Sequence, residues 1–235
     1  MPVPKSPRRP ASALATSTNR SSRRDQSELR VTDATIAAAY DSRAAEYVEV
    51  AGSIGQMDAA DRALIEKWRD CAPGRLLDAG CGPGLWTDVL HDDHRDVAGI
   101  DLSAHFLAEA RSRHPHLRFD HGSFCNLPYE GASLGGILAW YSLIHTPPED
   151  IAAVLAEFAR VLAPRGSLLI GYFDGAPREP FAHAITEAYF WSADALSELL
   201  TDTGFAITAT EHRSRAPGEV SKRTHGAITA IRRGN

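Results

Sequence analysis

The sequence predicts an α/β protein with a doubly wound, mostly parallel sheet of seven strands, helices on both faces and an antiparallel C-terminal edge hairpin. From residue 74 onward, short apolar runs alternate with helical patterns, and a glycine-rich turn follows the first run. Such alternation favours a parallel sheet covered on both faces. The last two apolar runs have no helix between them, so we expect them to pair antiparallel at an edge.

The expected strands are the apolar runs at 75–80, 96–101, 117–122, 133–140, 166–173, 205–213 and 225–233. Helical spacing of apolar residues predicts helices at 32–50, 58–70, 83–93, 103–114, 147–162 and 192–203. Thr32, Ser103 and Ser192 are expected N-caps, because a side-chain oxygen there accepts a free backbone N–H. The connection at 174–191 is long for this fold class, and long loops tend to be functional.

Composition places the chain among ordinary globular proteins, with 235 residues, 43% of them hydrophobic, and a net charge of −5. A nucleic-acid binder usually presents a basic face, and no segment has the roughly eighteen apolar residues of a membrane span. The three cysteines form no CxxC pair, so neither a disulfide framework nor a metal site is indicated. We expect a cytoplasmic monomer or homodimer with no nucleic-acid, membrane or metal partner.

The N-terminal segment differs from the rest of the chain. Residues 1–30 carry seven Lys or Arg against two acidic residues and almost no large apolar side chains. A segment of this kind buries too little surface to offset its ordering entropy. We therefore expect a disordered basic tail over 1–30 and one domain over 31–235, with a helical cap formed by 31–70.

The turn after the first strand carries the strongest functional signal, in the segment RLLDAGCGPGL (75–85). Glycines let a ligand approach the backbone closely, and parallel sheets bind ligands where their strands end. Asp78 stands at the strand end, where a carboxylate can meet an amine directly or through water. Asp101 ends the second strand, twenty-one residues after Gly80, where a carboxylate can accept both hydroxyls of an adenosine ribose. The alternative for the glycine turn is a purely structural connection. The alternative for Asp101 is a charge that stabilises the N-terminus of the helix that follows.

Four segments together resemble the class I S-adenosylmethionine-dependent methyltransferases, a Rossmann-like family: LLDAGCGPG (76–84), GIDLS (99–103), HGSFCNLPYEGASLGGILAWYSLIH (121–145) and ARVLAPRGSLLIGYF (159–173). The likeness extends over roughly residues 32–233 and includes TGFAIT (203–208) in the closing hairpin. It implies S-adenosyl-L-methionine as cofactor and a small-molecule methyl acceptor.

The resemblance also implies roles for individual residues. The methionine end of the cofactor would meet Asp78 and Gly80, with Cys81 and Gly82 close by and Ala139 and Trp140 beneath, while Tyr40 matches a tyrosine over the cofactor carboxylate. Asp101 would bind the ribose, Leu102 would pack on the adenine, and Ser123 and Phe124 would border it.

Two positions depart from the family pattern. The family commonly has Asp where Ser123 stands, to accept from the adenine amino group, and serine accepts more weakly because it is neutral. It also often has Asp where Gly135 stands. The pair Gly135–Gly136 either weakens the fourth strand or marks a close backbone approach.

Histidine and aromatic residues are the candidates for chemistry on the acceptor. His145 follows the fourth strand and has a pKa range suited to a general base, although it can equally be a loop histidine packed on Pro147. Tyr141 is the candidate for orienting the acceptor. The aromatic side chains suggest an apolar or aromatic small molecule; they are Tyr40, Trp140, Phe181, Tyr189, Phe190 and Trp191. In the connection 174–191 a minor helix packed on the core is the alternative.

Two other functions fit parts of the pattern. A nicotinamide-dependent oxidoreductase also uses a glycine turn and a later acidic residue. The third glycine of its GxGxxG motif would fall at position 85, but this chain has Leu85 there and its third glycine one residue earlier, at Gly84. A non-catalytic S-adenosylmethionine-binding subunit would keep the cofactor residues without turnover.

Overall fold

The computed structural model describes residues 26–51, 54–92, 94–214 and 223–234. Its helices are α1 Gln26–Ala51, α2 Ala59–Cys71, α3 Leu85–Leu90, α4 Ala104–Arg113, α5 Ile151–Val161 and α6 Ala193–Asp202. Its strands are β1 Leu76–Ala79, β2 Val97–Asp101, β3 Arg118–His121, β4 Leu134–Trp140, β5 Leu162–Phe173, β6 Pro180–Ala182, β7 Glu187–Tyr189, β8 Phe205–Arg213 and β9 His225–Arg232.

The main sheet has seven strands in the order β3-β2-β1-β4-β5-β9-β8. Strands β1 to β5 pair in parallel, whereas β9 pairs antiparallel with both β5 and β8. The predicted fold class is therefore confirmed, including the closing hairpin of β8 and β9. The chain order reverses at β1, and β1 and β4 lie side by side at this switch point, where open α/β sheets bind ligands.

Alternate residues of the strands send side chains to the two faces of the sheet. On one face Leu77, Ile137 and Ile170 pack with α5 and α6 in the largest apolar cluster. On the other face Leu76 and Leu138 pack with α2. The helices thus cover both faces, as the alternation of strands and helices predicts.

The glycine pair in β4 marks a close backbone approach and not a weak strand. A Cβ on Gly135 would lie 1.5 Å from the Pro73 carbonyl oxygen, and both Gly135 and Gly136 donate to the Arg75 carbonyl oxygen, at 2.8 and 3.2 Å. Side chains at these positions would push the loop before β1 away from β4.

Helix α1 begins at Gln26, so the prediction that Thr32 caps its N-terminus is wrong. The stretch before Thr32 contains Glu28, Leu29 and Arg30, which favour helix and extend it by six residues. Residues 1–25 of the expected tail lie outside the described residues. Ser103 and Ser192 do cap their helices, accepting from Phe106 N and Ala195 N.

The two helices of the expected cap have different places. Helix α1 lies against α4, where the Ser103 hydroxyl donates to Asp41 and Tyr40 contacts the Phe106 ring at 5.5 Å. Helix α2 packs on the sheet, with Trp68 buried and its Nε1 donating to Ser167 Oγ at 2.8 Å. Helix α1 therefore crosses the strand ends, whereas α2 reaches them only with its first turn, at Asp61.

The long connection at 174–191 contains a small two-stranded sheet, β6 and β7, in place of the minor helix that was one alternative. Tyr189 N donates to the Ile144 carbonyl oxygen at 2.8 Å, so this hairpin docks on the loop after β4. Helix α5 begins at Ile151, later than the prolines at 147 and 148 predicted, because residues 147–150 form turns. No helix in the part of the chain that the structure describes is long and apolar enough to cross a bilayer.

Candidate functional site

A cavity of about 520 Å³ lies at the carboxyl ends of β1, β2 and β4. Its floor is formed by the glycine turn after β1 and by residues that follow β2 and β4. Its cover is formed by α1, by the segment 56–61 and by His183 of the β6–β7 hairpin. The volume lies in the range of cofactor and small-molecule sites.

The glycine turn is shaped for close approach. Gly80 has φ +80°, and a Cβ there would lie 2.3 Å from the Ser142 Cβ and 3.1 Å from the Phe124 ring. Its N–H and that of Cys81 both donate to the Ile100 carbonyl oxygen, at 2.8 and 3.0 Å. Gly80, Cys81 and Gly82 all line the cavity.

Asp101 holds the turn and the next helix together. Its Oδ2 accepts from Gly82 N and its Oδ1 from Ser103 N, both at 2.8 Å. Burial raises the pKa of Asp101, while these backbone N–H groups oppose the rise. Because each carboxylate oxygen has a second acceptor position, Asp101 can still accept from ligand hydroxyls in the cavity it lines.

Two predicted cofactor residues lie behind the cavity wall. Asp78 is only 1% exposed, and its Oδ2 accepts from the Thr87 hydroxyl at 2.7 Å. Burial raises the pKa of Asp78 to about 7, the Thr87 bond opposes this, and the nearby Asp101 charge adds to it. Ala139 is fully buried in the core. Neither residue lines the cavity, so their predicted roles at the methionine end stay predictions.

The predicted adenine side is lined by Leu102 and Phe124. Ser123 does not line the cavity; its hydroxyl accepts from Cys125 N at 3.1 Å and donates to the carboxylate of Asp33 on α1. Asp33 itself reaches the cavity. Burial raises the pKa of Asp33, and the bond from Ser123 opposes the rise.

His145 and Tyr40, which the sequence assigned to separate roles, form one pair. His145 Nδ1 lies 2.7 Å from the Glu187 carbonyl oxygen, and its Nε2 lies 3.0 Å from the Tyr40 hydroxyl. A carbonyl oxygen only accepts, so Nδ1 carries the proton and Nε2 accepts from Tyr40. Burial lowers the pKa of His145 and so favours the neutral ring, although the bond to the Glu187 carbonyl oxygen opposes this shift.

A second aromatic group stands beside this pair. The Tyr141 hydroxyl hydrogen-bonds to His225 Nδ1 at the start of β9, and Phe173 contacts the Tyr141 ring at 5.2 Å. His183 of the hairpin contacts the His145 ring at 5.1 Å. Burial lowers the pKa of His183 to about 4, and the positive charges of Arg223 and Arg43 add to this effect.

The remaining predicted site residue, Trp140, lines the cavity and contacts the Trp86 ring at 6.4 Å. Sequence reasoning missed Asp33, Ser142, His225 and Trp86. Ser142 lies within the quoted segment 121–145 and Trp86 follows the glycine turn, so both were within reach, whereas Asp33 and His225 come from distant parts of the chain. The Ser142 Oγ is buried and has no hydrogen-bond partner among the described residues. Across those same residues, no group of three His, Cys, Asp or Glu side chains has the arrangement of a metal site.

Comparisons with known proteins agree with this geometry. Residues 76–166 match the family described as a methyltransferase domain. A probable S-adenosylmethionine-dependent methyltransferase of Mycolicibacterium smegmatis is 30% identical over 143 residues, which are 60% of this chain and 55% of that protein. The chain spans about half the length of the curated relatives it matches.

Solved structures with the same fold include two of different activity. The 1,6-didemethyltoxoflavin-N1-methyltransferase of Burkholderia thailandensis, solved with 1,6-didemethyltoxoflavin and S-adenosylhomocysteine, has a TM-score of 0.69 at 20% identity, covering 90% of this chain and 92% of that one. The cyclase SpnF has a TM-score of 0.70 at 21% identity, covering 85% and 96%. At such identities the likeness establishes the fold alone.

Proposed function

We propose that this chain, which belongs to the class I S-adenosylmethionine-dependent methyltransferase family, transfers the methyl group of S-adenosylmethionine to a small apolar or aromatic acceptor. The observation that carries the proposal is the cavity in which the glycine turn and Asp101 face the Tyr40–His145 pair. One side suits a nucleoside and the other suits removal of a proton from a nucleophile. The methyltransferase-domain match over residues 76–166 and the similarity to an S-adenosylmethionine-dependent methyltransferase bear out the family and the cofactor expected from the motifs.

The residues of the turn fit the cofactor. Asp101 keeps free acceptor positions for the two ribose hydroxyls. The buried Ser142 Oγ beside Gly80 can donate to the cofactor's carboxylate, which would satisfy a polar atom that lacks a partner among the described residues. A glycine at 80 leaves this approach open, since a Cβ would meet Ser142.

The bound cofactor supplies an electrophilic methyl group on a sulfonium, and this chain supplies position and proton removal. Tyr40 shows that an O–H donor fits at His145 Nε2 at 3.0 Å. An acceptor O–H or N–H in that place would give its proton to His145 Nε2. Its nucleophilic atom would then be able to take the methyl group, and the electron pair of the broken carbon–sulfur bond would remain on sulfur. The Glu187 carbonyl oxygen fixes the ring and stabilises the imidazolium that forms.

The acceptor end of the cavity favours an apolar or aromatic molecule. Its wall contains Trp86, Trp140, Tyr141 and Phe173. Aromatic faces stack on planar ligands and exclude water, which raises the share of properly placed acceptor. The Burkholderia thailandensis relative, solved with 1,6-didemethyltoxoflavin bound, is consistent with this class of acceptor.

Simple measurements separate this function from three alternatives. The fold also serves a protein named as a cyclase, since fold does not determine reaction. A non-catalytic subunit would bind S-adenosylhomocysteine without turnover. A nicotinamide-dependent oxidoreductase would bind NAD.

The test is titration calorimetry with S-adenosylhomocysteine and NAD, followed by a screen of small aromatic acceptors for release of S-adenosylhomocysteine. We expect binding of S-adenosylhomocysteine, no binding of NAD, and turnover with at least one phenol, aromatic amine or heterocycle. Binding of NAD without S-adenosylhomocysteine would refute the cofactor assignment. Turnover only with large or polymeric acceptors would refute the acceptor class.

A further inference from the structure

We propose that Asp33 of α1 accepts a hydrogen bond from the exocyclic amino group of the cofactor's adenine, so that α1 sets the preference for this base. The inference rests on the proposed function and deepens it. It assigns a base-reading role to a residue outside the family's motifs.

The position of Asp33 carries the first part of the argument. Leu102 and Phe124, which follow β2 and β3, line the cavity on the side where an adenine joined to a ribose at Asp101 would lie. Asp33 lines the same cavity from α1. The Ser123 hydroxyl donates to its carboxylate and so ties it to the loop after β3.

The second part compares the partners of four of the five aspartates that line the cavity. Asp58 and Asp61 face Arg213, and Asp101 accepts from two backbone N–H groups. Among the described residues, Asp33 has a neutral hydroxyl as its partner and no cation. A half-buried carboxylate in this setting is stabilised by further N–H donors, and an aromatic amine offers two.

The chemistry of Ser123 carries the third part. Serine stands where the resemblance implied an aspartate, and it does not itself reach the cavity. Its hydroxyl instead donates to Asp33. The carboxylate of Asp33 therefore lies beside Ser123, where the family commonly has an aspartate of its own. A base with a carbonyl oxygen in place of the amino group would set an acceptor against this carboxylate, and that mismatch is the source of discrimination.

The test compares S-adenosylhomocysteine with S-inosylhomocysteine, which has an oxo group in place of the amino group, by titration calorimetry on the full chain. The unaltered protein should bind the adenosyl compound at least tenfold more tightly. Asp33→Asn should weaken adenosyl binding about tenfold and strengthen or preserve inosyl binding, because an amide N–H can donate to the oxo group. Ser123→Ala should shift the ratio in the same direction by a smaller factor.

Asp41→Asn is the matched control. Asp41 lies on the same helix but accepts from the hydroxyl of Ser103, the N-cap residue of α4. If Asp33 acts only by docking α1, Asp33→Asn and Asp41→Asn will each weaken the binding of the adenosyl and inosyl compounds by the same factor, and the proposal is overturned. An unchanged ratio in Asp33→Asn also overturns it. If the unaltered protein binds neither compound, the cofactor assignment itself fails, which is a distinct result.

Discussion

The two walls of the cavity are built in opposite ways. The floor consists of consecutive residues at the ends of neighbouring strands, where Gly80, Gly82 and Asp101 are held by backbone hydrogen bonds. The cover joins residues far apart in the chain, such as Tyr40 with His145 and Arg43 with the Ala184 carbonyl oxygen. The floor therefore follows from the sheet, whereas the cover depends on the docking of separate segments.

The sharpest separation of the walls is His145→Ala. If the cover supplies proton removal, turnover with an identified acceptor should fall by about 10²–10⁴-fold, while affinity for S-adenosylhomocysteine stays nearly unchanged. In the unaltered protein, turnover should decrease with falling pH only below the usual histidine range, because burial lowers the pKa of His145. Single-turnover rates across pH 5–8 measure this. Turnover equal to that of the parent would remove His145 from the chemistry.

Asp101→Ala is expected to damage the floor. It removes the acceptor of Gly82 N as well as ribose bonds, and each charge-assisted bond contributes about 1.5–3 kcal/mol. Affinity for S-adenosylhomocysteine should fall about tenfold to a thousandfold, and Asp101→Asn should be milder because its amide oxygen still accepts. Calorimetry on folded variants tests this. Parent-like affinity in Asp101→Ala would reduce Asp101 to a helix-start charge.

Asp78→Asn probes the buried charge beneath the floor. The pKa of Asp78 is about 7 in the folded protein against 3.8 for an exposed carboxyl. The folded state therefore holds more protons between these values, and its stability falls as pH rises through this window, by at most about 1.4 kcal/mol per pH unit.

The asparagine variant lacks this titration. The difference between its free energy of unfolding and that of the parent should shift in favour of the variant as pH rises from about 4 to 7, and should stay constant above pH 7. Denaturant midpoints measured from pH 5 to 8 reveal the difference, and curves that run parallel throughout would show that Asp78 stays ionised.

Tyr40→Phe has the smallest expected effect. It removes one neutral hydrogen bond at His145 Nε2, worth about 0.5–1.5 kcal/mol, and keeps the ring contact with Phe106. Because the acceptor takes the place of the Tyr40 hydroxyl at Nε2, losing this competing donor should raise turnover by roughly two- to tenfold. A loss as large as that of His145→Ala would mean that the Tyr40 hydroxyl itself relays the proton.

The sequence was sufficient for the fold class and for the glycine turn and Asp101 of the floor, because these follow from local patterns. Glycine spacing and the carboxylate that ends β2 are visible without the fold. The Tyr40–His145 bond joins residues 105 positions apart, and no local pattern indicates a contact of that range. The early start of α1 was missed because Thr32 has the form of an N-cap, while the preceding residues also favour helix.

The β6–β7 hairpin has a consequence for how such a protein changes over evolutionary time. It leaves the chain after β5 and returns before α6, so its length can change without altering the register of any strand in the main sheet. It places His183 in the cavity wall and the Glu187 carbonyl oxygen at His145 Nδ1, the end that we propose for the acceptor. Under the proposed function, insertions in this one segment would change which acceptors fit and would leave the glycine turn and Asp101 unaltered.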